Sequence, residues 1–559
     1  MAEQIISPGV YLRENDISVR QPEPLIAGAA FIGPTVMGPV LEPVLVTSYN
    51  EYVKKFGDIL TMGTNKKEYF TSIAVKNYFN QGGETVLVTR VVSGSYGSFT
   101  TATTTAVAPA NTSSAAPFQL KTLGKGIVYN SNSTLGSDGS LPSGSIDNLR
   151  FEVASVNNNA GTFTLLVRRG DDLTRNKIIL ESFNVSLDPA SDIYIEKVIG
   201  NQYKNYNSTE GYIEVIGDYP NRSNYVRVSA ANAINDYVPS MSGSLPTRQS
   251  GSFTGAIGSV NNSAKFFNEA SGSTPQGVTS TSYDIAIDLL SNKDEYQFNL
   301  IAVPGLTIED NAATITKVVS LAENRGDAIA VIDPVPYKAL LVDVTTAAAG
   351  VDSSFAAAYW PWVQVLSATG KNAFVPASTI IPAVYALNDR VAAPWFAPAG
   401  LVRGGVPGVI QAERKLPKAL RDTLYDNKVN PIATFPGQGI SVLGQKTLQS
   451  APTALDRVNV RRLIIELKEF VNNVSRGLLF EQNTIATRNR FLAAVNPYLE
   501  SVVQRQGLFA YNVVMDDTNN TADIIDRNLL VGQIYIQPTK TVEFIVIDFV
   551  IQPTGASFE

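Results

Sequence analysis

Hydrophobic and polar positions follow two rhythms along this chain, and the switches between them mark its units. Residues 26–32, 40–46 and 85–92 are short apolar runs of strand length. Between them, 48–57 reads as a helix capped by Ser48 and stopped by Gly57, and the stretch around 72–80 as a second helix with Ile73, Val75 and Tyr78 turned mostly inward. Residues 21–92 therefore predict a compact α/β unit. At residue 93 the pattern lapses into Ser, Thr, Gly, Ala and Asn until about 145, the signature of loop or of a loosely packed β region. Alternation returns at 149–156 and 162–169, joined by Asn157-Asn158-Asn159-Ala160-Gly161, a hairpin signal. Residues 177–187, 194–199 and 225–228 continue the β pattern, and 238–282 is again Ser/Gly/Thr-rich. The block 93–285 reads as an inserted β-rich region facing solvent.

From about 284 strands and helices alternate: strands at 296–303, 328–332 and 359–366, helices at 310–324 and 378–387, then a proline- and glycine-rich loop over 394–408. The strongest helical pattern runs from 454 to about 476. Val460, Leu463, Ile464, Leu467, Phe470, Val471 and Val474 give one apolar face, Thr453 is placed to cap it, and Asp456 suits the positive end of the helix dipole. A further helical stretch starts at 484, with Pro497 opening a new segment. Strand (509–515), turn (516–521), short helix and strand (530–536) follow.

The two ends of the chain read alike. Residues 542–551 are an almost unbroken β-branched and aromatic run, including Val542, Phe544, Val546, Phe549 and Ile551, too short for a membrane helix and suited to a strand covered on both faces. Pro8, Gly9, Val10 and Tyr11 sit in a second extended segment. Such terminal strands can be completed by a neighbouring subunit through strand addition at a sheet edge. The pattern predicts an assembly protein.

Composition narrows the chemistry. A length of 559 residues suggests two to four domains, and 44% hydrophobic with 17% charged residues describes an ordered chain. A net charge of −6 without basic blocks gives no footprint for nucleic acid, and no apolar stretch reaches membrane-spanning length. Glu3 and Pro8 stand where a signal peptide needs a basic region and an apolar core. With no cysteine and no histidine, the chain has no disulfide, no thiolate or imidazole metal site and no Ser-His or Cys-His nucleophile. The expectation is a protein that is not an enzyme, with no catalytic, cofactor-binding or metal-binding residues and no cofactor.

The remaining motifs have structural readings. Gly437-Gln438-Gly439 lacks the spacing of a phosphate-binding turn and predicts a glycine turn. Asp516-Asp517, followed by Thr518-Asn519-Asn520-Thr521, predicts turn chemistry in preference to ion binding. Tyr359-Trp360-Pro361-Trp362 predicts a core or interface anchor.

An ordered set of segments carries a family resemblance: Ser7-Pro8-Gly9-Val10-Tyr11, Asn80-Gln81-Gly82-Gly83, Ala302-Val303-Pro304-Gly305, Trp395-Phe396-Ala397-Pro398, Tyr425-Asp426-Asn427-Lys428, Val460-Arg461-Arg462-Leu463, Leu479-Phe480-Glu481, Asn519-Asn520-Thr521 and Ile534-Tyr535-Ile536-Gln537-Pro538. In this order the chain resembles the tail sheath proteins of contractile-tailed bacteriophages. The resemblance implies a mixed α+β and α/β multidomain fold: an N-terminal arm (1–20), a core domain in two parts (21–92 and 286–541), an outward-facing inserted β-rich region (93–285) and a C-terminal strand and arm (542–559). It implies hexameric rings of identical copies stacked helically around a tail tube and meshed by exchanged strands. Contraction would drive the tube through the host envelope during genome ejection. The implied partners are further copies, the tail tube protein, and baseplate and tail terminator proteins, with no direct nucleic acid and no membrane insertion. The implied location is the virion, after assembly in the host cytoplasm. Arg457, Arg461 and Lys468, off the apolar seam of the 454–476 helix, are the expected tube-facing cations. A sheath of a bacterial contractile injection system or tailocin is the alternative.

Overall fold

An eight-stranded sheet draws together segments more than 200 residues apart in the chain. Its strands are β1 (Ala29–Gly33), β2 (Pro43–Val46), β3 (Val86–Arg90), β4 (Leu300–Thr307), β5 (Ile329–Asp333), β6 (Ala356–Trp360), β7 (Val429–Phe435) and β8 (Gly439–Val442), in the spatial order β2-β3-β1-β4-β5-β6-β7-β8. The computed structural model describes residues 28–62, 65–92, 104–106, 116–123, 148–207, 209–253, 265–406 and 408–543. The expected arms, with Pro8, Gly9, Val10 and Tyr11 at one end and Phe544, Val546, Phe549 and Ile551 at the other, lie outside the described residues.

The six inner strands run parallel, and an antiparallel strand closes each edge. Parallel strands are covered on both faces, and the side chains obey this: Ala30, Ile32, Ile301 and Ile332 enter one core, Ala29, Phe31, Ala302 and Val331 the other. Helices α1 (Tyr49–Phe56) and α2 (Phe70–Asn80) precede β3, α3 (Ile308–Arg325) joins β4 to β5, and α4 (Ile381–Val391) follows β6. Helix α3 covers the first face through Ile315, Val318 and Ala322; α2 and α4 cover the second through Ile73, Val75 and Val384. As the sequence predicts, the Ser48 hydroxyl accepts from the Glu51 amide at the start of α1, and Gly57 ends the helix at φ 69°. The aromatic cluster Tyr359, Trp360 and Trp362 is a buried core anchor.

Strand order reverses between β1 and β4, where an open α/β sheet offers a ligand crevice at the carboxyl ends of its strands. Here that crevice is filled. Gln276, held at φ 53° and 1% exposed, accepts the Phe70 amide hydrogen at the start of α2 (3.0 Å). The Gly272 amide donates to Asp310 on the first turn of α3 (2.7 Å), and the Asn311 side chain donates back to the Gly272 carbonyl (3.2 Å). Gly305, at φ 98°, lets the Phe70 ring approach to within 2.8 Å of where a Cβ would stand. Residues 265–290 therefore pack on the α/β body, with Val278, Tyr283 and Ile287 in its core. They do not continue the β-rich block, as a boundary at 285 would require.

The β-rich block has its own core around Phe118, Phe151, Leu165 and Val228, between a four-stranded and a three-stranded sheet. It is tied to the body by the hairpin of Tyr203–Asn207 and Tyr212–Ile216, whose Tyr206 and Ile213 pack on the first core of the body, as Leu41 and Leu45 do, while Lys204 pairs with Glu42. Most of residues 93–147 lie outside the described residues.

Several expected elements differ. The 194–199 stretch is a helical turn, Ile195–Ile199, because Ile195 and Ile199 stand one turn apart on the face that enters the outer core. The expected strand at 359–366 is split at Pro361 into β6 and Val363–Leu366, which belong to different sheets. Thr453 caps only a short 3-10 turn, Ala454–Asp456, and the long helix α5 begins at Val458 (Val458–Arg476). Helix α6 (Ile485–Gln504) runs unbroken through Pro497. Proline forfeits one backbone bond there, but Phe491, Val495, Leu499 and Val502 on one buried face hold the helix together.

Candidate assembly site

The C-terminal unit is built on two antiparallel helices and a small sheet. Strand β9 (Leu508–Val514) pairs antiparallel with β10 (Gln533–Pro538), from Leu508 opposite Pro538 to Val514 opposite Gln533. Alternation sets the faces from Tyr511 onward: Tyr511, Val513, Ile534 and Ile536 join Leu463, Leu467, Phe491 and Leu499 of α5 and α6 in one core, while Tyr535 (57% exposed) looks outward; Phe509 (76%) also looks outward because the register shifts between Leu508 and Ala510. Among the described residues neither β9 nor β10 has a second strand neighbour. Among the described residues both edges are therefore open to further strand pairing, the geometry that receives an added strand.

Local chemistry holds the sheet in shape. The turn predicted at Asp516 is present: Asp516 accepts from the Thr518 amide (2.9 Å), and its hydrogen bonds from Thr518 hold its carboxyl below the usual range. Asn520, 1% exposed, donates to the carbonyls of Asp516 (3.1 Å) and Val531 (2.8 Å) and accepts from the Val531 amide (2.9 Å). Asp517 pairs with Arg488 of α6 (2.5 Å). The Gly437–Gly439 stretch, as expected, turns β7 into β8.

After β10 the chain leaves this unit. Thr539 still bonds to Gly507 and Gln506, but Thr541 accepts from Gln445 (2.5 Å) and Glu543 reaches the α/β body. There Glu543 accepts from Arg457 through Nε (2.7 Å) and Nη2 (3.0 Å), from the Tyr425 hydroxyl (2.8 Å) and from Gln445 (3.1 Å). Burial would raise its carboxyl, but these donors outweigh it and hold the pKa below the usual glutamate value. Val542 between them is 79% exposed.

The three cations expected to face a tube do not share a surface. Arg457 is half-buried and committed to Glu543 and Asp456. Arg461 is 4% exposed; its guanidinium stacks 3.9 Å from the Phe355 ring centroid and donates to Ser354, and burial lowers its pKa. Only Lys468 is exposed, at a crevice shared with Lys293, Asp294 and Asp327. The first half of α5 is enclosed on all sides, so even positions off its apolar seam point into protein. Glu543, Tyr425 and Gln445 escaped sequence reasoning because their meeting depends on a contact about a hundred residues long, with no local periodicity to announce it.

Fold and site define a class: a multidomain α/β chain whose C-terminal end carries a two-stranded sheet with both edges unmatched among the described residues. The family model of the phage tail sheath protein central domain matches residues 276–448, and that of the phage tail sheath C-terminal domain matches 450–552. The two domains of the phage tail sheath family are thus matched in order over residues 276–448 and 450–552. It is 36% identical over 229 residues to the tail sheath protein of Vibrio phage KVP40, covering 41% of this chain and 33% of that one. It is 39% identical over 188 residues to the tail sheath protein of Enterobacteria phage T4, covering 34% and 28%. The match thus spans about a third of the length of these curated relatives. A crystal structure of a sheath tail protein from Listeria innocua shares the fold at a TM-score of 0.53 and 12% identity, over 88% of this chain and 89% of that one.

Proposed function

We propose that this chain is the structural subunit of a contractile phage tail sheath, a virion component that polymerises as stacked hexameric rings around a tail tube and shortens to drive the tube through the host envelope. The observation that carries the reading is the small C-terminal sheet: two strands, one face seated on α5 and α6, both edges unmatched among the described residues. A two-stranded sheet gains stability when further strands join it. Each added backbone hydrogen bond contributes a net ~0.5–1.5 kcal/mol. Each well-buried Val, Ile or Phe of an incoming strand adds ~1.5–3 kcal/mol. The runs at 5–14 and 542–551 have the composition of such strands. An arm of several residues then holds a neighbour while other contacts break and re-form in a rigid-body movement. Contraction is release from a kinetically trapped arrangement, with no nucleotide or cofactor involved. The filled switch-point crevice supports a role without catalysis, since Gln276 and Gly272 stand where an α/β enzyme of this topology seats its ligand.

The partners proposed are further copies of the chain, a tail tube protein, and baseplate and terminator proteins at the two ends of the tube. The β-rich block is proposed to face outward. Two truncations test the assembly: removing residues 1–20, or ending the chain at Val542. Both are expected to leave folded subunits that form no tubes in negative-stain micrographs; full-length tubes from either would refute strand exchange.

A further inference from the structure

The route of the chain between β10 and Glu543 separates two tasks that a strand-exchanging subunit has to perform. Strand β10 stays with the C-terminal unit through Pro538 and Thr539, so its outer edge remains available. Within four residues the backbone crosses to the α/β body, where Glu543 is gripped by four hydrogen bonds from three side chains. These three side chains sit on separate supports. Tyr425 is on the helix Lys418–Asp426, packed on β7. Gln445 lies beyond β8, in a segment fastened to the start of α5 by the Val458 amide donating to the Gln445 carbonyl (2.8 Å) and the Thr447 amide donating to the Asp456 carbonyl (3.0 Å). Arg457 is the residue at the entry of α5 itself. The paired guanidinium and carboxylate are 25% and 16% exposed at their side chains, so the bidentate contact is partly withdrawn from solvent screening. Val542, next to it, is 79% exposed, so the grip rests on Glu543 and, more weakly, on the Gln445 bond to Thr541.

We propose that Arg457, Tyr425 and Gln445 form an anchor on Glu543 that fixes where the C-terminal arm departs, so that pull exerted on the arm by a neighbouring copy enters the α/β body and not the β9–β10 sheet. Donating and receiving a strand are thereby mechanically separate: the donor is moored to the large sheet, and the receiver is the small one. Without the anchor, tension on the arm would run through Thr541 and Thr539 into β10 and peel the edge on which another copy's strand is seated. The proposal rests on the strand-exchange reading, and Glu543 and Arg457 are positioning residues within it.

The test uses the full chain and two measurements. Hydrogen exchange on the unassembled subunit reads the anchor directly. Arg457→Ala and Glu543→Gln are expected to speed exchange of residues 541–543 at least tenfold while leaving the amides of β9 and β10 within twofold of wild type. Tyr425→Phe, which removes one hydroxyl and is the mildest variant, is expected to give a smaller increase at the same residues. Equal loosening of β9–β10 would overturn the separation of tasks, as would unchanged exchange at 541–543. In assembled tubes, Arg457→Ala is expected to raise the rate of subunit loss on dilution at least tenfold, and the exchanged pair Arg457→Glu with Glu543→Arg to restore part of it. Tubes of Arg457→Ala that persist like wild type would overturn the proposal. Failure of the wild-type chain to form tubes would instead refute the assembly reading, with the anchor itself then decided by the exchange measurement alone.

Discussion

The large sheet and the small one solve the same problem in opposite ways. In the eight-stranded sheet the antiparallel strands β2 and β8 end the parallel array, and helices cover both faces. In the C-terminal sheet two strands stand with both edges unmatched among the described residues and with Phe509 and Tyr535 turned outward. An exposed edge invites unwanted pairing, and proteins ordinarily blunt it. The contrast between a finished sheet and an unfinished one lies in how much of each is edge: two strands of eight in the large sheet, both strands in the small one. Other small sheets of the described residues also have free edges, but the C-terminal one joins two open edges to an apolar face seated on α5 and α6 and to outward-turned aromatic rings.

The largest effect should come from breaking the finished sheet. Phe31→Ala, in the fully buried β1, should lower unfolding stability by about 3–5 kcal/mol in denaturant titration. It should lower the stability of isolated subunits as much as that of tubes. Asn520→Ala addresses the shape of the unfinished sheet. It removes the side-chain partner of the Val531 amide and carbonyl, while the Asp516 carbonyl keeps the Asn520 amide, and should reduce stability by about 1–3 kcal/mol, with the loss concentrated in β9 and β10 by hydrogen exchange.

A pH series sharpens the contrast from the other side. Burial pushes the Asp333 carboxyl, at the end of β5, up to about 7 despite hydrogen bonds from Ser378. The folded chain thus holds this proton more tightly than the unfolded one, whose aspartate titrates near ~3.9. Its stabilising contribution is complete below that value and is lost as pH rises through about 7. Asp333→Asn should therefore show a smaller decline of Tm between those limits than wild type. The smallest effect on stability is expected from Phe509→Ser, on the outward face of β9. Unfolding should shift by no more than about 0.5 kcal/mol. Tube yield should fall, because the face it vacates is the one that neighbouring copies would cover.

The finished sheet was legible in the sequence and the anchor was not, for physical reasons. Runs such as Ala29–Gly33 and Ile329–Asp333 are apolar on both faces, and only a doubly covered strand needs that. The capped helix α1 and the turn at Asp516 carry their chemistry within a few residues, where sequence reading is strongest. Residues 265–285 read as solvent-facing because they are polar, yet they pack on the body. Gln276 is buried because its side chain ends a helix, not because it is apolar. Arg461 failed in the same manner: periodicity assigns it to the polar side of α5, but a second body closes over that side and gives its guanidinium the Phe355 ring and Ser354. Pro497 shows the converse, a local breaker overridden by a continuous apolar face. The first two of these differences fall where separate segments of the chain pack together.

The hairpin that Tyr206 and Ile213 seat on the core of the body, with Lys204 paired to Glu42, has a consequence for how the molecule is seen from outside. A block joined to the body only through the continuity of the chain would swivel; among the described residues this hairpin adds a side-chain contact that resists such turning. A label or peptide grafted onto the outer block would therefore act as a pointer, turning through the same angle as the body beneath it.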